Sequence, residues 1–182
     1  AIDLTAGQTY ELKVSADNFE TTTAEQIMPT KPILKDAEYR QAKNKLHVTI
    51  SDDSGRDFYV LGISPNGTSN DVGGYLYSET GIAEDSGLDY RRVIFGDDTF
   101  SEQDVALTLE ASVNGAGSGT DSVRVYLYNV TEDYYRLDRG VNAADNADEN
   151  PFAEPVILHR NFDKGFGVFA LGNKASVVIP VE

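Results

Sequence analysis

The run Phe58-Tyr59-Val60-Leu61-Gly62-Ile63 is apolar on both faces and stops at Ser64-Pro65-Asn66-Gly67, a strong turn signal. A short apolar run bounded in this way predicts a central strand, covered on both sides. Its neighbours alternate with period two. Leu46, Val48 and Ile50 interleave with His47 and Thr49, and Tyr10, Leu12 and Val14 interleave with Glu11 and Lys13. That alternation is the signature of strands with one buried face in an antiparallel sheet. Further strands are expected near Gly74–Ser78, Arg92–Phe95, Val105–Val113, Ser122–Asn129, Val156–His159, Gly167–Leu171 and Ala175–Val181. The pattern is all-β, and no internal repeat of fixed period runs through it.

The rhythm breaks after Asn129. Thr131 can cap the free backbone N–H groups of a helix, Glu132 and Asp133 suit the positive end of its dipole, and Arg136 and Arg139 suit the other end. Val130 and Tyr135 have the spacing of a hydrophobic staple, and Tyr134, Leu137 and Val141 share a face. One short helix is therefore expected near residues 131–145, packed over the end of a sandwich. The polar stretch Asn142 to Asn150 ends at Pro151, which stops regular structure. Met28-Pro29-Thr30-Lys31-Pro32 reads as an extended connector. The residues before it offer only a hairpin, Thr9–Ala16 with Phe19–Glu25, which is marginal alone and must pair with the main domain or belong to another.

A chain of 182 residues buries about 70% of its unfolded surface, enough for a core without staples. Thirty acidic residues against fifteen basic ones give a net charge of −15. That balance argues against general nucleic-acid binding and against docking on anionic lipid through a basic face. With no cysteine, disulfides, zinc ribbons, iron–sulfur clusters and thiol catalysis are excluded. No stretch has the apolar length of a membrane-spanning helix, and Ala1-Ile2-Asp3-Leu4 does not resemble a signal peptide.

The candidates for chemistry are few. His47 and His159 sit on alternating segments without a metal-type neighbour and read as ordinary strand residues. Gly62-Ile63-Ser64-Pro65-Asn66 lacks the closing glycine of a nucleophile elbow, and Pro65 removes an amide that an oxyanion hole would use. Gly165-Phe166-Gly167-Val168-Phe169-Ala170 has the spacing of a dinucleotide fingerprint, but Val168 and Phe169 favour strand over the helix which that mechanism needs. The acidic clusters are Asp52-Asp53 with Asp57, Asp97-Asp98, and Asp145 with Asp148 and Glu149. They show no glycosidase spacing, and only Asp52-Asp53-Ser54-Gly55-Arg56-Asp57 has a composition that could surround calcium, without the order of an EF-hand. Tyr75 with Tyr77, and Tyr126 with Tyr128, form stripes that read as cross-strand packing, or as a sugar- or peptide-binding platform where exposed. No catalytic residue, cofactor or bound metal is expected.

The C-terminal third is the most distinctive part of the sequence. It contains Leu127-Tyr128-Asn129-Val130-Thr131-Glu132-Asp133-Tyr134-Tyr135-Arg136, then Asn150-Pro151-Phe152-Ala153-Glu154-Pro155-Val156, then Asn161-Phe162-Asp163-Lys164-Gly165-Phe166-Gly167-Val168-Phe169. In order and spacing it closely resembles domain-of-unknown-function family 4249, a group of surface-associated lipoproteins of Bacteroidetes. Upstream, Val93-Ile94-Phe95-Gly96-Asp97-Asp98-Thr99-Phe100 resembles another family segment. Gly7-Gln8-Thr9-Tyr10-Glu11-Leu12-Lys13-Val14, with Ala24 to Pro29, resembles the end of the family's N-terminal immunoglobulin-like domain. Three departures stand out: the lipid-bearing cysteine and most of the immunoglobulin-like region are absent, and Ala170 stands where the family usually has glycine.

The resemblance implies a non-enzymatic lipoprotein of the outer membrane, surface-exposed or periplasm-facing, anchored by a lipid on a cysteine upstream of Ala1. It implies an accessory role beside a TonB-dependent receptor, with a glycan or peptide ligand as a further partner and no nucleic acid. The motif residues it marks, as structural or partner-facing, are Tyr134, Tyr135, Asn150, Pro151, Phe152, Glu154, Pro155, Gly165, Gly167 and Phe169. Pro151 and Pro155 would fix a rigid approach to a strand, Phe152 would anchor it, and Gly165 and Gly167 would let the next strand turn closely. The expected architecture is an antiparallel β-sandwich of immunoglobulin- or fibronectin-like layers over residues 31–182, preceded by a hairpin and connector over residues 1–30 that remain from an N-terminal immunoglobulin-like domain. Ligand would meet the loops Ser64–Gly74 and Ala143–Asn150. A carbohydrate-binding or adhesion module, with or without calcium, is the alternative.

Overall fold

The computed structural model describes residues 3–66, 74–79, 81–100, 102–113, 121–148 and 154–182. In chain order the elements are β1 (Thr9–Val14), β2 (Thr22–Ile27), β3 (Ile33–Arg40), β4 (Lys45–Ser51), β5 (Phe58–Pro65), β6 (Gly74–Ser78), β7 (Glu84–Asp85), β8 (Arg92–Gly96), β9 (Asp104–Val113), β10 (Ser122–Val130), α1 (Glu132–Asp148) and β11 (Gly172–Pro180). One sheet has the order β11-β10-β5-β8-β7, the other β3-β4-β9-β6, and β1-β2 is a separate hairpin. The ladders between these strands are antiparallel. The fold is an all-β sandwich with one α-helix among the described residues.

Alternation in the sequence becomes burial between the sheets. Leu46, Val48 and Ile50 of β4 and Leu107, Leu109 and Ala111 of β9 meet Tyr59, Leu61 and Ile63 of β5 and Val123, Val125 and Leu127 of β10. At one margin the chain end joins the layers: Val181 bridges Tyr39, and the Gln41 amide donates to the Glu182 carbonyl at 2.8 Å.

Why β5 is apolar on both faces is now plain. Tyr59, Leu61 and Ile63 face the core between the sheets, whereas Phe58 and Val60 face outward and join Ile94 and Val130 in a second buried cluster. Tyr134 and Tyr135 of α1 cover that cluster. The helix thus lies on the outer face of the five-stranded sheet, not over the end of the sandwich. It also continues to Asp148, so Ala143–Asp148 is helix and not part of a binding loop.

Two expected strands do not form. Val156–His159 leaves Ile157 94% exposed and runs toward the helix, where His159 meets Asp133. Gly167–Leu171 also stays out of the ladder, because the backbone of Phe169 is taken by a side chain: Asn161 Nδ2 donates to the Phe169 carbonyl at 2.7 Å and its Oδ1 accepts the Phe169 amide at 2.9 Å. A side-chain amide here stands in for a neighbouring strand. Conversely, β3 forms where the pattern announces nothing, because a bulge between Leu34 and Asp36 breaks the alternation. Its second strand shifted from the expected Phe19–Glu25 to Thr22–Ile27, the leading hairpin leaves Phe19 in the turn, 79% exposed.

Candidate functional site

Strand register alone lays out the outer face beneath the helix. Gly172, Val130, Phe58 and Gly96 lie in one cross-strand row, Lys174, Tyr128, Val60 and Ile94 in the next, and Ser176, Tyr126, Gly62 and Arg92 in the third. Gly62 is required in that third row, since a Cβ there would stand 2.4 Å from the Tyr126 ring. Its absence lets the ring lie across β5 toward Arg92, whose guanidinium sits 5.9 Å from the ring centre. Tyr126 and Tyr128 meet edge to face at 5.7 Å under the Lys174 ammonium.

Between this face and the helix lies a pocket of about 310 Å³, lined by Val60, Arg92, Tyr128, Val130 and Tyr134 and walled by Ala170, Leu171 and Gly172. Its size and apolar lining with a few polar groups are those of small-molecule sites. Burial works against the charge on Arg92, but the Tyr126 hydroxyl and Asp89 hold its pKa above the ordinary guanidinium value. Burial likewise pushes the Tyr134 phenol up.

The helix wall is fixed by Asp138, which is fully buried and accepts the Ser86 hydroxyl at 2.7 Å and the Gly87 amide at 2.6 Å. Burial raises its pKa against those hydrogen bonds. At the other end of the helix, Asp133 accepts from Asn161 Nδ2 at 2.9 Å, pairs with His159 Nε2 at 2.5 Å, and is bonded by Gln26 of β2. Burial alone would raise the Asp133 carboxyl; the bonds from His159, Asn161 and Gln26 outweigh it and hold the pKa low. Thr131, expected as a cap, gives its carbonyl to the Tyr134 and Tyr135 amides while its hydroxyl accepts the Leu171 amide at 3.4 Å, tying helix to pocket wall.

Of the motif residues, Tyr134 and Tyr135 lie in this region. Tyr134 lines the pocket and Tyr135 packs on Phe58 with ring centres 4.7 Å apart. Gly165 and Gly167 have φ of +86° and +132°, the left-handed backbone that glycine tolerates, and Phe169 is held by Asn161. Glu154 and Pro155 are exposed. Asn150, Pro151 and Phe152 lie outside the described residues, as do Glu149 and most of the loop Ser64–Gly74. The turn made by these glycines holds the leading hairpin: Asp163 Oδ1 accepts the Thr22 hydroxyl at 2.5 Å and the Thr23 amide at 2.8 Å. Arg92, Asp138 and Asn161 carry the site and were not among the expected site residues. Gly62, a lone glycine in an apolar strand, marks where the Tyr126 ring crosses β5 toward Arg92.

Asp97 joins Asp52 and Asp57 of the calcium-type loop. Carboxylate oxygens of Asp52, Asp57 and Asp97 all lie within 4.8 Å of one another, and Asp52 and Asp97 are buried. Each has protein partners: Asp52 accepts the Tyr59 hydroxyl at 2.5 Å, Asp57 accepts Asn129 Nδ2 at 2.8 Å, and Asp97 accepts the Asp57 amide at 2.9 Å. Burial raises the pKa of both Asp57 and Asp97, and the neighbouring carboxylates add to it. A carboxyl whose folded pKa is raised costs stability once pH exceeds its unfolded value, fully so above the folded one. Asp57→Asn keeps the acceptor for Asn129 and removes a charge, so at pH 7 it is expected to raise Tm by roughly 2–4 °C, on the order of 1 kcal/mol. The gain should shrink as pH is lowered toward 4; thermal melts of both proteins at pH 7 and 4.5 check this.

Fold and site together define a helix-braced β-sandwich with a small pocket on one outer face, lined by one arginine, two tyrosines and apolar walls. The chain belongs to the family described as domain of unknown function (DUF4249), whose model matches residues 2–177. No curated protein and no solved structure matches it.

Proposed function

We propose that the chain is the non-enzymatic binding domain of a surface lipoprotein that serves a TonB-dependent outer-membrane receptor in ligand capture. The observation that carries this reading is the pocket under α1, whose lining combines a guanidinium, two phenols and apolar walls. These are groups that hold a molecule, and an arginine exchanges no proton at neutral pH. Family membership supports the cellular setting. Affinity capture from native outer membranes tests it: recovery of a TonB-dependent receptor is expected, and repeated capture without one would count decisively against it.

A second reading, a carbohydrate-binding or adhesion module with or without calcium, draws on the opposite sheet. Tyr75 and Tyr77 of β6 stack with centres 5.0 Å apart, and Tyr77 is 43% exposed. Such a pair offers a face to a sugar ring. A glycan array run with and without millimolar calcium decides it, since no signal in either condition removes this reading.

A further inference from the structure

The one charged residue lining the pocket under α1 is a cation, Arg92, in a chain that is strongly acidic overall. Arg91 takes both oxygens of Asp89, Nε to Oδ1 at 2.9 Å and Nη2 to Oδ2 at 3.1 Å. The neighbouring Arg92 Nε stands 3.3 Å from Asp89 Oδ2, close enough for attraction, yet it is buried with no hydrogen-bond partner. One carboxylate therefore serves two guanidiniums. Lys174, over the rings of Tyr126 and Tyr128, adds a third positive charge, and buried Asp138 is the other acid interacting with Arg92. Of these charged groups Arg92 is the one that lines the pocket, with Lys174 beside it over the ring of Tyr128.

The Arg92 side chain is still a third exposed where it lines the pocket, and a guanidinium there favours an oxyanion, which arginine meets with geometry as well as charge. The rest of the lining sets the body of the ligand. Val60, Val130, Ala170 and Leu171 are apolar, and Tyr128 and Tyr134 present ring surface. A volume of about 310 Å³ suits a compact molecule.

From these contacts we infer that the pocket binds a small organic carboxylate with an aromatic or branched aliphatic body, the acid group toward Arg92 and the body against Tyr128, Tyr134 and Leu171. This names the ligand class of the capture reading and rests on it for its biological purpose.

Phenylacetate and phenylacetamide, which differ in charge and share a body, are the probes for calorimetric titration into the full chain. Phenylacetate is expected to bind at least tenfold more tightly than the amide, and to weaken at high salt. Ala170→Leu fills the pocket without touching a charge and should cost at least tenfold, while Arg92→Gln should bring acid and amide to equal affinity. The inference is overturned by equal binding of the two probes to the parent chain, by no binding of either, by unchanged affinity in Ala170→Leu, or by inorganic phosphate competing as well as phenylacetate. The Ala170 variant keeps the test decisive should Arg92→Gln fail to fold. A chain that recovers a receptor but ignores phenylacetate overturns this inference alone; one that binds phenylacetate but recovers no receptor overturns the accessory role alone.

Discussion

Gly87→Ala is expected to destabilise the protein by about 3 kcal/mol, the upper end of the range for forcing an atom into packed structure. A Cβ at Gly87 would lie 2.3 Å from the Asn142 amide nitrogen, 2.7 Å from the Asp138 carbonyl oxygen and 2.9 Å from the Asn142 Cα. All three are backbone of α1. No rotamer change relieves the clash, so either the 86–88 turn or the helix must withdraw. Withdrawal would break the bonds from the Ser86 hydroxyl and the Gly87 amide to Asp138 and leave a buried carboxylate short of donors. For a chain of this size the loss corresponds to a fall in Tm of roughly 6–12 °C. Thermal melting followed by circular dichroism checks it, and an unchanged Tm would mean the helix is held by something other than this contact.

Asn161→Ala should be nearly as costly, at about 2–4 kcal/mol, because one side chain satisfies both backbone groups of Phe169 and also donates to Asp133. The effect should be uneven. Asn161 heads the turn whose Asp163 and Lys164 grip Thr22 and Thr23, so hydrogen exchange should quicken at Phe169 and across β2 while β4 and β9 keep their protection. Uniform quickening across both sheets would contradict this arrangement.

Most strands were legible because alternation with period two reports burial directly, as in β4, β9 and β10. The helix was legible from Thr131 to Leu137, yet its seat was not. Phe58 and Val60 showed that β5 has two covered faces, but only the register shows that α1 supplies the second cover. The segments around Ile157 and Phe169 misled because apolar composition does not say where backbone groups find partners. Around Phe169 the Asn161 side chain supplies them, and beyond Ile157 the anchor is the side-chain pair of His159 with Asp133, which leaves no period to read. The pocket was illegible for a related reason. Its residues come from β5, β8, β10, α1 and the approach to β11, and Arg92 by itself is an arginine opening a short strand.

The hairpin carries a consequence for how the protein is made. Gln26 waits for Asp133, 107 residues later, and Thr23 waits for Asp163, 140 residues later. At ribosomal speeds that separation is on the order of 10 s, an interval in which the β1–β2 ribbon has left the tunnel but its polar partners do not yet exist. Throughout it Leu12, Val14 and Ile27, which remain partly uncovered even in the finished fold, stand next to free strand edges. The charges set among them, Glu11, Lys13 and Glu25, are then the ribbon's guard against pairing with a neighbouring nascent chain.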